Sequence, residues 1–189
     1  MPRFALEGGL VLRPLEEADA DELHALIGHN HAELAKWMHW AQEQTLEQTL
    51  AFIHRSRARE SGNGGLQRAI VAEERIVGMV GLPEIDWTNR SAQIGYWLDR
   101  AHQGRGVMTS AVAALADHAF GGLNLNRLEI RTDVENAPSR AVAERLGFRY
   151  EGTLRQSYRV SDERYSDDAV YSLLASDRRA AHARLRADR

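Results

Sequence analysis

The chain has 189 residues, 43% of them hydrophobic and 27% charged, which is typical of one globular domain with a substantial core. Its net charge of −3 gives no overall positive field for binding nucleic acid, and no apolar run approaches the ~18 residues that span a membrane. Cysteine is absent, which excludes disulfides, cysteine nucleophiles and thiolate metal sites, and we expect a cytoplasmic protein that binds no metal.

The first half of the chain reads as a strand, three helical segments and a hairpin. Thr45 is placed to cap the third helix, and Glu73 and Glu74 form the hairpin turn. In chain order we predict a strand at 9–15, helices at 16–30, 31–40 and 46–60, and hairpin strands at 66–74 and 75–85.

The second half predicts a strand–helix–strand crossover followed by a helix and a closing hairpin. We predict strands at 92–99 and 127–134, a helix at 137–148 ended by Gly147, and strands at 149–160 and 167–175. The two crossover strands should be parallel neighbours. The helix between them has a stripe typical of packing on a sheet, formed by Met108, Ala111, Val112, Leu115 and Ala119.

The stretch HQGRGV at 102–107 places two glycines around an arginine, between a predicted strand and a predicted helix. A helix start has unpaired N–H groups and partial positive charge, so an anionic phosphate is a natural ligand, and Arg105 adds charge. The stretch lacks the lysine of a P-loop and the three glycines of the dinucleotide fingerprint. From these residues alone, a phosphate cradle and an ordinary turn are equally open.

Further motifs follow in a fixed order around this turn. They are AQIGYWLD at 92–99, HQGRGV at 102–107, ENAPS at 135–139 and LGFRYEGTLR at 146–155. With these motifs the chain resembles the GNAT acetyltransferase superfamily, most closely its Rim-type branch, which acetylates the N-terminal amines of ribosomal proteins. The resemblance is strongest over 77–174. It implies an α/β fold with a mixed, mostly antiparallel central sheet, splayed at one parallel strand pair and flanked by helices.

The resemblance implies that the glycine turn binds the pyrophosphate of acetyl-CoA through backbone N–H groups. Trp97 and Leu98 on the preceding strand would contact the pantetheine arm, and unpaired backbone near Leu98 would stabilise the oxyanion of the tetrahedral intermediate. Many relatives have glycine or alanine in place of Met108, a tolerable departure because only the backbone is needed there. The implied turn positions are Gln103, Gly104, Arg105, Gly106, Val107, Met108 and Thr109.

The stretch ENAPS forms the second implied site. In relatives the asparagine contacts CoA and the serine is a proposed proton donor to the leaving thiolate, and these positions are Asn136 and Ser139 here. A purely structural interpretation is also available. Asn136 is a good N-cap, Pro138 suits a first helical turn, and Ser139 then only supports the cap.

The general base of Rim-type relatives is missing. They often carry glutamates where this chain has Gln93 and Tyr158. An N-terminal α-amine, with a pKa near ~8, needs less help from a base than lysine near ~10.4, so a water chain is one replacement. Tyr158 is a candidate to orient water or donate a proton, and a packed aromatic with a solvent-facing hydroxyl is the alternative. The other substitutes are the carboxylates Glu84, Asp86, Asp133 and Glu135, each better explained as a solvated surface residue, and His102, whose place at the turn favours packing or CoA contact.

The resemblance also implies that the early helices border the acceptor groove, where Trp37, Met38 and Trp40 are candidates to line it. Glu84 is a further candidate substrate contact. We expect direct acetyl transfer to a primary amine, foremost the N-terminal α-amine of a ribosomal protein. A small amine (a polyamine, amino acid or aminoglycoside) and a non-catalytic acyl-CoA-binding module are the alternatives. We expect one domain over 1–189, with a surface or frayed tail at 177–189, a possible homodimer, and no membrane or nucleic-acid partner.

Overall fold

The computed structural model describes residues 3–161 and 164–178 as a mixed α/β fold. The strands are β1 (Phe4–Ala5), β2 (Val11–Arg13), β3 (Leu66–Ala72), β4 (Arg75–Leu82), β5 (Ile85–Asp86), β6 (Ser91–Gln93), β7 (Gly95–Leu98), β8 (Arg127–Asp133), β9 (Arg149–Arg159) and β10 (Tyr165–Leu174). The helices are α1 (Ala20–His29), α2 (His31–Leu34), α3 (Leu46–Ser61), α4 (Val107–Asp117) and α5 (Ala137–Arg145). In these ranges no helix has the length and apolar character to cross a membrane.

Ten strands form two five-stranded sheets that meet along one stretch of chain. Their orders are β1-β2-β3-β4-β7 and β5-β6-β8-β10-β9. Every strand pair among the described residues is antiparallel except β6 with β8, which is parallel. The predicted parallel crossover neighbours and the mostly antiparallel sheet are therefore confirmed.

The run at 92–99, predicted as one strand, is two strands divided at Ile94. The Ile94 N–H donates to the Glu129 carbonyl at 2.7 Å, which ends the pairing of β6 with β8. From Gly95 onward the chain pairs with β4 instead. The prediction of one unbroken strand was wrong because the two halves have different partners. The predicted splay is confirmed, and β7 and β8 diverge from this point.

The predicted helix at 31–40 was also wrong beyond its first turn, because α2 ends at Leu34. Met38 is extended (φ −132°, ψ 110°), and a short 3-10 turn follows at His39–Ala41. These residues contact the distant β9–β10 hairpin: the Gln42 side chain donates to the Val160 carbonyl. Tertiary contacts therefore replace the helical hydrogen bonds that the local pattern predicts.

Two apolar clusters cover the two faces of the sheets. The larger cluster packs α4 and α5 against β4, β7, β8 and β10, and it includes all five residues of the predicted α4 stripe. The smaller one packs α1 and α3 on the opposite face, where Met79 and Trp97 contribute from the sheet. We name the face covered by the larger cluster the helix α4 face, and the face covered by the smaller cluster the helix α1 face.

Candidate active site

The divergence of β7 from β8 opens a gap, and the β7 backbone groups that line it are not paired with another strand. The Asp99 N–H donates to the Val77 carbonyl at 2.8 Å, so the neighbouring N–H and C=O of Leu98 point away from β4. They point into the gap, because β7 is the edge strand of its sheet. The Leu98 carbonyl accepts a hydrogen bond from the Gln103 side chain at 3.2 Å. No described residue pairs with β7 on the gap side.

The glycine turn follows β7 directly and ends at the first turn of α4. Gly104 and Gly106 have φ of +73° and +78°, a left-handed conformation that favours glycine, and a Cβ at either position would meet open space. Gly106 is the N-cap of α4 and has no side-chain cap. The first intrahelical bond runs from Ser110 N–H to the Gly106 carbonyl at 3.0 Å, so the preceding N–H groups are free.

The predicted residues of the turn divide into exposed and anchored groups. Arg105 is exposed beside the turn. The Met108 side chain is buried in the core of the helix α4 face, so only its backbone faces the turn. Thr109 Oγ1 accepts a hydrogen bond from Arg145 at 3.4 Å. The space over the two glycines and the free N–H groups fit a phosphate group.

A buried carboxylate holds the base of this turn. Asp99 Oδ2 lies 2.8 Å from His102 Nδ1, and Asn30 Oδ1, at the end of α1, accepts from Arg100 N–H at 3.0 Å. Burial opposes ionisation of Asp99, but hydrogen bonds involving Asn30 and His102 outweigh it and lower the pKa of this carboxyl. His102 therefore contacts a structural carboxylate and fixes the turn to the rest of the fold.

Ser139 lies at the start of α5, and its hydroxyl contacts β7. Asn136 Oδ1 accepts from the Ser139 N–H at 3.2 Å, so Asn136 is the N-cap of the helix. The Tyr96 hydroxyl lies 3.0 Å from Ser139 Oγ and donates to the Ser139 carbonyl at 3.1 Å. Burial raises the pKa of Tyr96 to about 12. These three residues lie on the helix α4 face, and the two hydroxyls join β7 to α5.

Residues 36–42, which we name the strap, lie on the helix α1 face. The strap contacts both β7 and the β9–β10 hairpin. At one end the rings of Trp40 and Trp97 are 6.5 Å apart. At the other end Arg164 donates to the Lys36 carbonyl at 2.9 Å and pairs with Asp133 at 2.8 Å. The strap therefore borders the gap on the side away from α4.

Tyr158, Trp37 and Glu84 occupy three different places. The Tyr158 hydroxyl accepts from the His39 N–H of the strap at 3.3 Å, and it shares no hydrogen bond with Ser139 in the described part of the chain. Trp37 is half-buried, and its indole N–H donates to Glu33 at 3.4 Å. Glu84 is exposed in the turn after β4. The structure brings Tyr158 to the strap and leaves Glu84 outside it.

Two aspartates face each other across β8 and β10. Asp133 and Asp168 are paired in register, and they point to the helix α1 face because their neighbours Thr132 and Ala169 are buried on the other face. Burial raises the pKa of Asp168; the Asp133 charge acts in the same direction, against hydrogen bonds from serines. Through Arg164, Asp133 is joined to the Lys36 carbonyl of the strap.

Known proteins with similar sequences and folds show which family this chain belongs to. The acetyltransferase (GNAT) domain family matches residues 9–149. The chain belongs to the GNAT acetyltransferase family. It is an acetyl-CoA-dependent N-acetyltransferase with the fold that its motifs predict, and the prediction of a non-catalytic module as an alternative is set aside.

Individual relatives of this acetyltransferase match nearly its whole length. YdaF of Bacillus subtilis (strain 168) is 35% identical over 167 residues, 87% of this chain and 91% of the relative. The ribosomal-protein-serine acetyltransferase of Escherichia coli (strain K12) is 32% identical over 164 residues, 86% and 91% of the two chains. The solved structure of RimL, a ribosomal L7/L12 alpha-N-protein acetyltransferase in complex with coenzyme A, has a TM-score of 0.88 at 27% identity and covers 93% of this chain and 99% of that one.

Sequence reasoning missed Tyr96, Asp168 and Arg164. Tyr96 had a usable signal, since period-two alternation puts it on the same face as Leu98, and a buried tyrosine hydroxyl needs a partner. Asp168 and Arg164 had no such signal, because their neighbours come from strands and loops distant in sequence. No group of three or more potential metal ligands occurs in the described ranges. Beyond residue 178, the predicted tail at 177–189 lies outside the described residues.

Proposed function

We propose that this acetyltransferase acetylates the N-terminal α-amine of a protein, of the ribosomal-protein type. The observation that carries the proposal is that two matching relatives, one by sequence and one by fold, are named for that reaction. The exposed ring of Trp40 beside Trp97 of β7 also supports it, since a flexible chain end can pack on an exposed aromatic ring. Trp40 is 40% exposed.

For the cosubstrate, we propose that the free N–H groups at the start of α4 bind the pyrophosphate of acetyl-CoA, with the backbone of Gln103–Met108 around it and Arg105 adding charge. The pantetheine arm then follows β7 past Trp97. The Leu98 N–H points into the gap, and we propose that it donates to the thioester carbonyl oxygen. A fixed donor there stabilises the negative charge that develops on this oxygen during attack.

The transfer proceeds by direct attack of the neutral amine on the thioester carbonyl, since the chain has no cysteine to carry a covalent acetyl group. As the carbon–sulfur bond breaks, its electron pair goes to sulfur, and Ser139 donates a proton to that sulfur. Asn136 supports this step by capping α5, which fixes the position of Ser139. The acceptor nitrogen loses one proton, and CoA leaves as the thiol.

The acceptor amine reaches the gap from the helix α1 face, where we propose that Asp168 takes its proton. Its raised pKa suits a base that works near neutral pH better than an ordinary aspartate. Asp133 is committed to Arg164, and Glu135 is exposed. Tyr158 positions the strap through His39 rather than handling the proton. Trp37 and Trp40, both in the strap, are proposed to line the acceptor path, with the Trp40 ring next to Trp97 of β7.

A thiol-release assay over an amine panel tests the acceptor. The panel has a peptide with a free N-terminal serine, the same peptide with a blocked N-terminus and an internal lysine, and spermidine, each with acetyl-CoA. We expect turnover on the free N-terminus at least ~10-fold above the other two. Preferred turnover of spermidine would identify a small-amine enzyme instead and overturn the protein-acceptor proposal.

Ser139→Ala tests the proton donor. We expect kcat to fall by about 10- to 100-fold, the usual range for losing a positioned acid, with the KM of acetyl-CoA unchanged. Ser56→Ala is the matched control, because Ser56 is buried and its hydroxyl bonds only the Phe52 carbonyl in α3. An unchanged kcat in Ser139→Ala removes Ser139 from the reaction.

We also propose a homodimer in the cytoplasm, where ribosomal proteins and acetyl-CoA are found. Support for the dimer comes from β9, an edge strand of 11 residues exposed along nearly its whole length, with Tyr150 55% and Leu154 41% exposed. Long exposed edge strands are usually covered. Light scattering on the purified chain should give twice the 21.2 kDa monomer mass. A mass of one monomer at micromolar concentration contradicts the dimer.

A further inference from the structure

Tyr96 places a second hydroxyl directly behind the proposed proton donor. Its side chain lies on the same side of β7 as Leu98, packs on the core of the helix α4 face, and reaches two atoms of one residue. These are Ser139 Oγ at 3.0 Å and the Ser139 carbonyl oxygen at 3.1 Å. The contact joins the edge strand of the gap to the first turn of α5, and it spans 43 residues of sequence.

The direction of the hydrogen bonds between the two hydroxyls decides whether Ser139 can give its proton to another atom. Each hydroxyl has one hydrogen to donate. When Tyr96 donates to the Ser139 carbonyl, the Ser139 hydroxyl can donate back to Tyr96 Oη, and its proton is then directed away from the gap. When Tyr96 donates to Ser139 Oγ, the Ser139 hydrogen is free to be given to another atom. The two acceptors lie within 0.1 Å of the same distance from Tyr96 Oη, so a small rotation of the phenol O–H exchanges them.

We propose that Tyr96 is a positioning residue for the transfer, which directs the Ser139 hydroxyl toward the thioester sulfur and replaces the proton that Ser139 gives away. This inference rests on the proposed role of Ser139. The carbon–sulfur bond breaks with its electron pair on sulfur, the sulfur takes the Ser139 proton, and Ser139 Oγ takes the Tyr96 proton. Solvent then returns a proton to Tyr96. The proton lost by the amine passes to Asp168 and from there to solvent, so the protein ends the cycle with no net gain or loss of protons.

The surroundings of Tyr96 suit this task. Burial raises the pKa of Tyr96 to about 12, so the phenol is protonated at the start of each transfer, and burial also drives the transient phenolate to take a proton back. A phenolate is also a much weaker base than a serine alkoxide, so passing the charge one step back from Oγ lowers the cost of the transfer. A phenylalanine at this position would keep the packing of the ring and lose both effects.

Tyr96→Phe in the full chain tests the inference, with Tyr171→Phe as matched control. Tyr171 is 1% exposed, and its hydroxyl also has two partners, Arg140 and Glu144, but it does not contact Ser139. We expect Tyr96→Phe to lower kcat by about 10-fold with the KM of acetyl-CoA unchanged. We expect Tyr171→Phe to lower the Tm at least as much as Tyr96→Phe while keeping kcat within about twofold.

A double-mutant cycle separates the relay from a structural role. If Tyr96 acts through Ser139, Tyr96→Phe has no further effect on kcat once Ser139→Ala is present, whereas independent roles multiply. Multiplicative losses, or an unchanged kcat in Tyr96→Phe, overturn the inference. The proposed role of Ser139 has a separate outcome. If Ser139→Ala leaves kcat unchanged, Ser139 is not the proton donor. If Ser139→Ala lowers kcat and Tyr96→Phe leaves it unchanged, Ser139 donates its proton without a relay.

Discussion

The two sides of the gap are built in opposite ways. On the cofactor side, the residues from Gly95 to Ser110 supply the edge strand, the turn and the helix start in one continuous stretch. The proposed acceptor side is built from distant parts of the chain, which are the strap, Trp97, Asp133 and the β9–β10 hairpin. The first uses mainly backbone groups, and the second uses side chains. A site made of backbone groups depends on the conformation of the chain, whereas a site made of side chains depends on which residues are present. The two sides should therefore respond differently to substitution.

The largest expected effect is on the cofactor side, at Gly106. Gly106→Val puts a β-branched residue at a φ of +78°, a conformation that it strongly disfavours, so the N-cap of α4 must rearrange. We expect the Kd for acetyl-CoA to rise at least ~100-fold by calorimetry. Gly121→Ala is the control, because its Cβ also meets open space but its φ is not positive, and it should bind normally. Normal binding by Gly106→Val contradicts a backbone cradle.

On the acceptor side, Trp40→Ala should raise the KM of the acceptor peptide by about 10-fold and leave the KM of acetyl-CoA unchanged. The reason is the loss of the ring that packs on Trp97 and borders the gap. Trp87→Ala is the matched control, since Trp87 is 45% exposed against 40% for Trp40 but bonds Asn63 far from the strap. Equal effects of the two substitutions would show that Trp40 is not at the acceptor site.

A smaller effect is expected at Arg105. Arg105→Ala should raise the Kd for acetyl-CoA by about threefold at low salt, because an exposed charge pair contributes little in water. The difference should disappear near 1 M salt, where such pairs are screened. Arg75→Ala, at the distant β3–β4 turn, should show neither change. A salt-independent loss in Arg105→Ala would indicate that its side chain holds the turn rather than the phosphate.

The smallest expected effect concerns stability at Asp168. Its raised pKa means that the folded state binds the proton more tightly than the unfolded state, so the ionised carboxylate destabilises the fold at neutral pH. Asp168→Asn should therefore raise the Tm by a few degrees at pH 7, while kcat falls. The Tm difference should shrink as the pH falls below about 4, where the aspartate is protonated in both states. A lower Tm in Asp168→Asn at pH 7 contradicts the pKa argument.

The sequence predicted the parts of the fold that depend on local patterns. The Thr45 cap, the glutamate turn at Glu73 and Glu74, and the end of α5 at Gly147 all lie where expected. It did not predict the break at Ile94, because period-two alternation continues through it and only the change of partner strand reveals it. The proposed acceptor side was harder to predict from the sequence for the same reason. The pairing of Asp133 with Arg164 depends on the path of the β9–β10 hairpin.

The change of partner at Ile94 has a kinetic consequence. Among the described residues no strand lies between β7 and β8, and we propose that the two substrates reach this gap from opposite faces. Each can enter and leave while the other is bound, so initial-rate plots should intersect, as for a ternary complex, rather than run parallel. Free CoA should compete with acetyl-CoA and leave peptide binding unaffected. In this proposal, one backbone divergence gives the two substrates separate approaches to the same gap.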